Sequence, residues 1–224
     1  MFGAWQAGAW QALSKRFDPD LIVGASVGAL NGCAIASSWS AEELCAWWLQ
    51  SPLEGISHRF QDLPQLTRAL LDARPLEREF AVVLVDVLRL KPRAFRGPEI
   101  TAKHLVASCA VPGAVAPQRV DGRWYADGGL LNPLPVWAAV ELGATRIIAL
   151  NALPEIPSVL LRPFVKTFRL VFGYNPRLPP EVQVTTLGPS VRLGGLGDAL
   201  KWDRENIQRW LKQGAADASQ TFPI

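Results

Sequence analysis

The feature that most restricts this chain is a serine set between two glycines at the end of an apolar run. Residues 21–28 read LIVGASVG, so Gly24-Ala25-Ser26-Val27-Gly28 is a G-x-S-x-G sequence. Leu21-Ile22-Val23 reads as a short, wholly apolar strand, and Val27 to Ser38 reads as a helix. A strand-to-helix turn this sharp crowds the serine backbone, and glycines two residues either side remove side chains that would clash. The Ser26 hydroxyl then stands at a helix N-terminus, where backbone N–H groups favour a developing anion. Strands without alternation belong in sheets covered on both faces, so the motif already points to an α/β architecture. The plainer alternative is a buried serine in a glycine-rich turn.

The rest of the chain follows the same alternation. Residues 4–13 (AWQAGAWQAL) read as a small-residue helix in which Gly8 permits close packing. Further helices are expected over 41–50, 62–72, 100–111, 136–142 and 203–218, the last with a C-cap at Gly214. Apolar strands are expected over 79–88 and 145–152, and Asp121-Gly122 marks a hairpin inside 119–129. The expected architecture is a three-layer α/β/α sandwich with a mainly parallel sheet. No repeat beyond the AWQA echo, no low-complexity tract and no linker divides the 224 residues, so a single domain over 1–224 is expected.

Composition removes several classes of function. Lys and Arg total 23 against 20 Asp and Glu, a net charge of +3, which lacks the concentrated basic surface of a nucleic-acid binder. Cys33, Cys45 and Cys109 form no CxxC pair, which argues against a disulfide scaffold or a cysteine zinc site and for a reducing, cytoplasmic setting. No signal peptide is visible, because the first charges, Lys15 and Arg16, follow the apolar stretch. The uncharged run Leu21 to Ala41 is long enough to span a bilayer, but its glycines, Asn31 and scattered serines mark it as strand, turn and buried helix.

A serine hydroxyl needs a base. The only histidines are His58 and His104, and both lie after Ser26. The order Ser, Asp, His would need a histidine beyond the acid, and the chymotrypsin and subtilisin orders need one before the serine. A histidine base could come only from His58 or His104 in an unusual order; the alternative is a carboxylate acting directly. The best carboxylate is Asp127, at the end of a strand and before Gly128 and Gly129, which allow a tight turn and close approach by a substrate. Asp-Gly-Gly is also an ordinary turn sequence.

With these residues in view, the chain resembles the patatin-like phospholipases. DLIVGASVGALNG is similar to the family's nucleophile segment, and residues 107–144 (ASCAVPGAVAPQRVDGRWYADGGLLNPLPVWAAVELGA) to the segment carrying its catalytic aspartate. The C-terminal LKWDRENIQRWLKQGAADA resembles the closing helix, so the likeness runs from about Gly3 to about Ala218. The resemblance implies a dyad of Ser26 and Asp127, with Gly24, Gly28, Gly128 and Gly129 as motif glycines. It also implies hydrolysis of lipid acyl esters with no metal or other cofactor. Phospholipase A, lysophospholipase and esterase activities are the candidates. His58 and His104 match no catalytic position. The remaining alternatives are a Ser26–His104 acyltransferase and a weak or inactive lipid-binding protein.

The likeness breaks at the N-terminus. The family begins with a strand and a glycine-rich loop, approximately G-G-G-x-x-G, whose N–H groups form the oxyanion hole. Here Gly3 matches the last glycine, and the preceding glycines and strand have no counterpart. Three explanations compete: a true start upstream, which is the favoured expectation, an inactive protein, or weak activity through the Val27 N–H and the helix dipole; Gly3 and Val27 are the candidate oxyanion donors. One further segment stands out. Residues 158–172 (SVLLRPFVKTFRLVF) place Arg162, Lys166 and Arg169 at helical spacing among apolar residues. They are expected either to lie on an anionic lipid surface, giving a peripheral membrane contact, or to form a packed helix with a solvated basic face.

Overall fold

The computed structural model describes residues 1–50, 62–154, 162–174 and 176–223. His58, the Pro52 loop and Ser158–Leu161 lie outside these residues. Helix α1 (Gly3–Leu13) leads into strand β1 (Leu21–Gly24), helix α2 (Val27–Ala36), α3 (Ala41–Leu49) and α4 (Leu63–Ala73). Then come β2 (Glu79–Asp86), β3 (Lys91–Arg96), α5 (Ala102–Ser108), β4 (Gln118–Val120), β5 (Arg123–Asp127) and α6 (Val136–Glu141). The chain closes with β6 (Arg146–Leu150), α7 (Arg162–Phe172), β7 (Gln183–Leu187), α8 (Leu196–Leu200) and α9 (Arg204–Thr221).

Helices cover a central β layer to give an α/β/α sandwich, as the alternation of elements requires. Strand direction differs from the expectation of a mainly parallel sheet. β1–β2 and β6–β7 are parallel, whereas β2–β3, β2–β5 and β4–β5 are antiparallel. The physical reason is connection length: residues 87–90 and Asp121-Gly122 are too short for crossovers and can only reverse the chain. Asp121 and Gly122 have φ of 46° and 79°, the left-handed pair of a tight hairpin. β3 and β7 escape a periodicity reading. KPRAFR carries Pro92 and three cations and is only partly buried, as an edge strand can be.

The register of β2 positions the site. β3 pairs with Ala81 to Asp86, so it occupies one edge of β2 along that length. β1 pairs with Glu79 to Val82 and β5 with Leu84 to Asp86, so these two share the opposite edge. β1 runs with β2 and β5 runs against it. Their C-terminal ends, Gly24 opposite Val82 and Asp127 opposite Leu84, therefore meet across Val83.

The core lies under α1, α2, α9 and the inner face of β2. Trp5, Trp48, Trp210, Phe80 and Leu84 are fully buried there. α1 and α9 touch backbone to backbone: a Cβ on Gly8 would fall 2.0 Å from the Leu211 carbonyl, and one on Gly214 would fall 2.0 Å from the Trp5 carbonyl. Gly214 is therefore no C-cap. α9 runs through it to Thr221, and the glycine serves helix contact instead. The Trp5 indole donates to Asp217 at 2.7 Å across the same contact.

β6 and β7 form a separate two-stranded sheet. The free edges of β1 and β6 both line a cavity of about 790 Å³, and among the described residues no backbone hydrogen bond joins the two sheets. Gln6 bridges the gap, donating to the Leu150 carbonyl at 3.1 Å and accepting from Asn31 at 3.2 Å. Among the described residues no helix is long and apolar enough to cross a membrane.

Candidate active site

Ser26 sits between β1 and α2 with φ 55° and ψ −133°, a conformation that costs a non-glycine residue free energy. Something must hold it there. The Ser26 N–H donates to the Ser108 hydroxyl at 2.9 Å, and that hydroxyl donates to the Val83 carbonyl at 3.1 Å. Ser108 is fully buried at the end of α5. Its role is not marked by any motif; the available signal is a polar residue inside the apolar run LVASCAV. The two elbow glycines differ. A Cβ on Gly24 would meet the Gly28 carbonyl at 2.4 Å, so only glycine fits. A Cβ on Gly28 would come no nearer than 3.7 Å to the Gln6 amide, an ordinary contact. The expectation that both glycines relieve a clash holds for Gly24 alone.

Asp127 ends β5 and is 4% exposed. Its Oδ1 accepts the Gly129 N–H at 2.7 Å. A Cβ on Gly128 would lie 2.2 Å from the Val83 carbonyl, so this glycine lets the acid turn press against β2. The Ser26 hydroxyl faces the Asp127 carboxylate and draws its pKa down. Burial raises the Asp127 pKa from 3.8 to about 6, against the opposing pull of Ser26, the Gly129 N–H and the Arg169 charge. Cys109, at the C-cap of α5, also faces the carboxylate, and burial together with Asp127 pushes its thiol pKa far up.

Gly3 and Val27 open α1 and α2, so each has a first-turn N–H that no carbonyl of its own helix can take. These two helix starts abut: a Cβ on Gly3 would lie 3.0 Å from the Val27 Cβ. The sequence-derived donors thus come from neighbouring helix N-termini beside Ser26.

His104 is placed differently. It is buried, its ring lies 4.5 Å from the Phe95 ring, and its Nδ1 accepts the Thr101 N–H at 3.1 Å as part of the α5 cap. Burial lowers its pKa, and among the described residues Nε2 has no hydrogen-bond partner. Arg169 also departs from expectation. It does not join a solvated basic face: Nε donates to the Leu130 carbonyl and Nη2 to the Gly129 carbonyl, both at 3.0 Å. Periodicity placed it with the other cations of its helix, and nothing local distinguished it.

With a strained serine elbow and a buried acid turn meeting across one strand, the comparisons with known proteins become decisive. The model of the family described as patatin-like phospholipase matches residues 1–140. The chain belongs to this family. Uncharacterized NTE family proteins of Mycobacterium bovis and Mycobacterium tuberculosis are 34% identical over 163 residues, covering 64% of this chain and 44% of theirs. The patatin-like chain thus spans less than half the length of these curated relatives. The crystal structure of VipD from Legionella pneumophila matches 98% of this chain and 64% of its own, with a TM-score of 0.55 and 13% identity. At that identity the likeness establishes the α/β/α fold alone.

Proposed function

We propose that the chain is a lipid acyl hydrolase in which Ser26 is the nucleophile and Asp127 its base, acting as one catalytic unit over 1–224. The observation that carries the reading is the meeting of the Ser26 elbow and the buried Asp127 turn across Val83, where burial pushes the carboxylate pKa up to about 6. Such a group is mostly ionised at pH 7 yet basic enough to take a proton in the transition state. Asp127 accepts the Ser26 proton as Oγ attacks the ester carbonyl. The Gly3 and Val27 N–H groups stabilise the oxyanion that forms. The alcohol leaves with a proton, the acyl group stays on Ser26, and water deprotonated by Asp127 releases the fatty acid. His104 spends its acceptor nitrogen on the α5 cap, which speaks for the carboxylate over a Ser–His arrangement.

The lipid substrate would be met at a membrane surface by α7. Leu170 and Val171 are 86% and 64% exposed there, on the helix whose Arg169 reaches the acid turn. Burying such side chains in the acyl boundary is the usual basis of interfacial binding. Cys33, Cys45 and Cys109 are unpaired, which suits a reducing, cytoplasmic setting.

The test is labelling with a fluorophosphonate, which mimics the tetrahedral intermediate, followed by peptide mass spectrometry. Selective adduct formation at Ser26, lost in Asp127→Asn, is expected. A folded chain that binds lipid vesicles but stays unlabelled would replace the hydrolase reading with that of a lipid-binding protein.

A further inference from the structure

The acid turn 127–130 is gripped from outside by a helix that lies about forty residues further along the chain. Gly129 is the shared element. Its N–H donates to Asp127 Oδ1 at 2.7 Å, and its carbonyl accepts from Arg169 Nη2 at 3.0 Å. Arg169 Nε takes the next carbonyl, Leu130, so the guanidinium fork spans two consecutive peptides of the turn. The chain just after α7 is fastened just beyond the turn as well, because the Asn132 amide donates to the Tyr174 carbonyl at 2.8 Å. Tyr174 in turn packs edge-on against buried Trp137 at 5.1 Å and donates to Glu141. β5 ends at Asp127, so beyond it the sheet no longer fixes the backbone, and these contacts supply what the ladder cannot.

We propose that Arg169 is a positioning residue for Asp127: its fork locks the Gly129 and Leu130 peptides, so that the Gly129 N–H keeps the carboxylate aimed at Ser26. The proposal rests on the Ser26–Asp127 reading for its catalytic meaning. The groups facing Asp127 are Ser26 from the elbow, Cys109 from the end of α5, the Gly129 N–H from its own turn and Arg169 from α7. Burial holds the Cys109 thiol protonated, so Arg169 is the charged member of the set. It therefore opposes the rise that burial imposes on the carboxylate, while burial lowers its own pKa against the pull of Asp127. Lysine would keep the charge and lose the fork; methionine would lose both.

The experiment compares the full chain with Arg169→Met and Arg169→Lys through two readouts. The first needs no activity. The stability difference between each protein and its Asp127→Asn derivative, measured by denaturant unfolding from pH 4.5 to 8, grows with pH and levels off at a break that reports the native Asp127 pKa. Its expected position is near pH 6 in the parent. A rise of about one pH unit is expected in Arg169→Met, and no rise in Arg169→Lys. The second readout is the rate of fluorophosphonate labelling at Ser26. It should fall roughly 10-fold in both variants, since a displaced base costs rate even where its charge partner is kept. In Arg169→Met the acid limb should also move to higher pH. A parental break and labelling rate in Arg169→Met would overturn the proposal. So would loss of labelling in Arg169→Met with full rescue by Arg169→Lys, because charge alone would then suffice. If the parent itself is never labelled, the dyad reading fails, and the break in the stability difference still reports whether Arg169 acts on Asp127.

Discussion

The two halves of the site are held by different means. The Ser26 elbow is a local device, with an apolar strand, a residue at φ 55° and a helix following within a few residues. The Asp127 turn has little of its own. It depends on the approach of Gly128 to the Val83 carbonyl and on Arg169 far along the chain. Yet Val83 joins them, because its carbonyl accepts from Ser108, which holds Ser26, and also crowds Gly128. The turn at a serine can be written by its sequence neighbours even where a distant hydroxyl holds it, whereas a buried carboxylate at a strand end takes both its shape and its hold from elsewhere.

The sharpest tests remove one half at a time. Ser26→Ala and Asp127→Asn should each lower ester turnover on the order of 10⁴-fold, with circular dichroism unchanged. A tenth of parental activity in Asp127→Asn would break the pairing. The two should differ in stability. The Asp127 pKa rises on folding from 3.8 to about 6, so its protonated form favours the native state. That contribution is complete below the unfolded value and is lost as pH rises through about 6. Above that pH, Asp127→Asn should be the more stable protein by up to about 3 kcal/mol, and the gap should close towards pH 4. Over the same range ester hydrolysis should show an acid limb near pH 6, because the protonated carboxyl cannot accept the Ser26 proton.

Glycine substitutions separate the two regions further. Gly24→Ala and Gly128→Ala drive a methyl into backbone at 2.4 and 2.2 Å. Each should cost about 1–3 kcal/mol in urea unfolding, or more where the backbone cannot move. Gly28→Ala meets only ordinary contact inside a helix, and should be neutral or stabilising by about 0.5–1 kcal/mol. A large loss there would mean that the elbow is tighter than its geometry indicates. Ser108→Ala removes the partner of the Ser26 N–H, with an expected cost of about 1–2 kcal/mol and slower labelling of Ser26. The smallest effect on turnover belongs to His104→Gln, which disturbs the α5 cap and the Phe95 contact. Stability should drop by about 1 kcal/mol, with turnover within twofold of the parent. A collapse of turnover in folded His104→Gln would move the base from the acid turn to α5.

The sequence by itself determined the strand–turn–helix at Ser26, the reversal at Asp121-Gly122 and the close packing at Gly8. It also offered a carboxylate before two glycines, Asp127, as a candidate base. Each of these is written in neighbouring residues, because dihedral preference, apolar runs and glycine's missing Cβ act over a few positions. The tertiary structure decided which strand edges meet, and so brought together Ser26 and Asp127, about a hundred positions apart. It turned Gly214 from a helix end into a helix contact, left Gly28 without a steric role, and drew Arg169 from an assumed solvent face onto two carbonyls of the acid turn. The glycine outcomes follow from which backbones the packed chain brings close, and the Arg169 contacts from buried polar groups needing partners; neither requirement leaves a periodic trace in the residues that satisfy it.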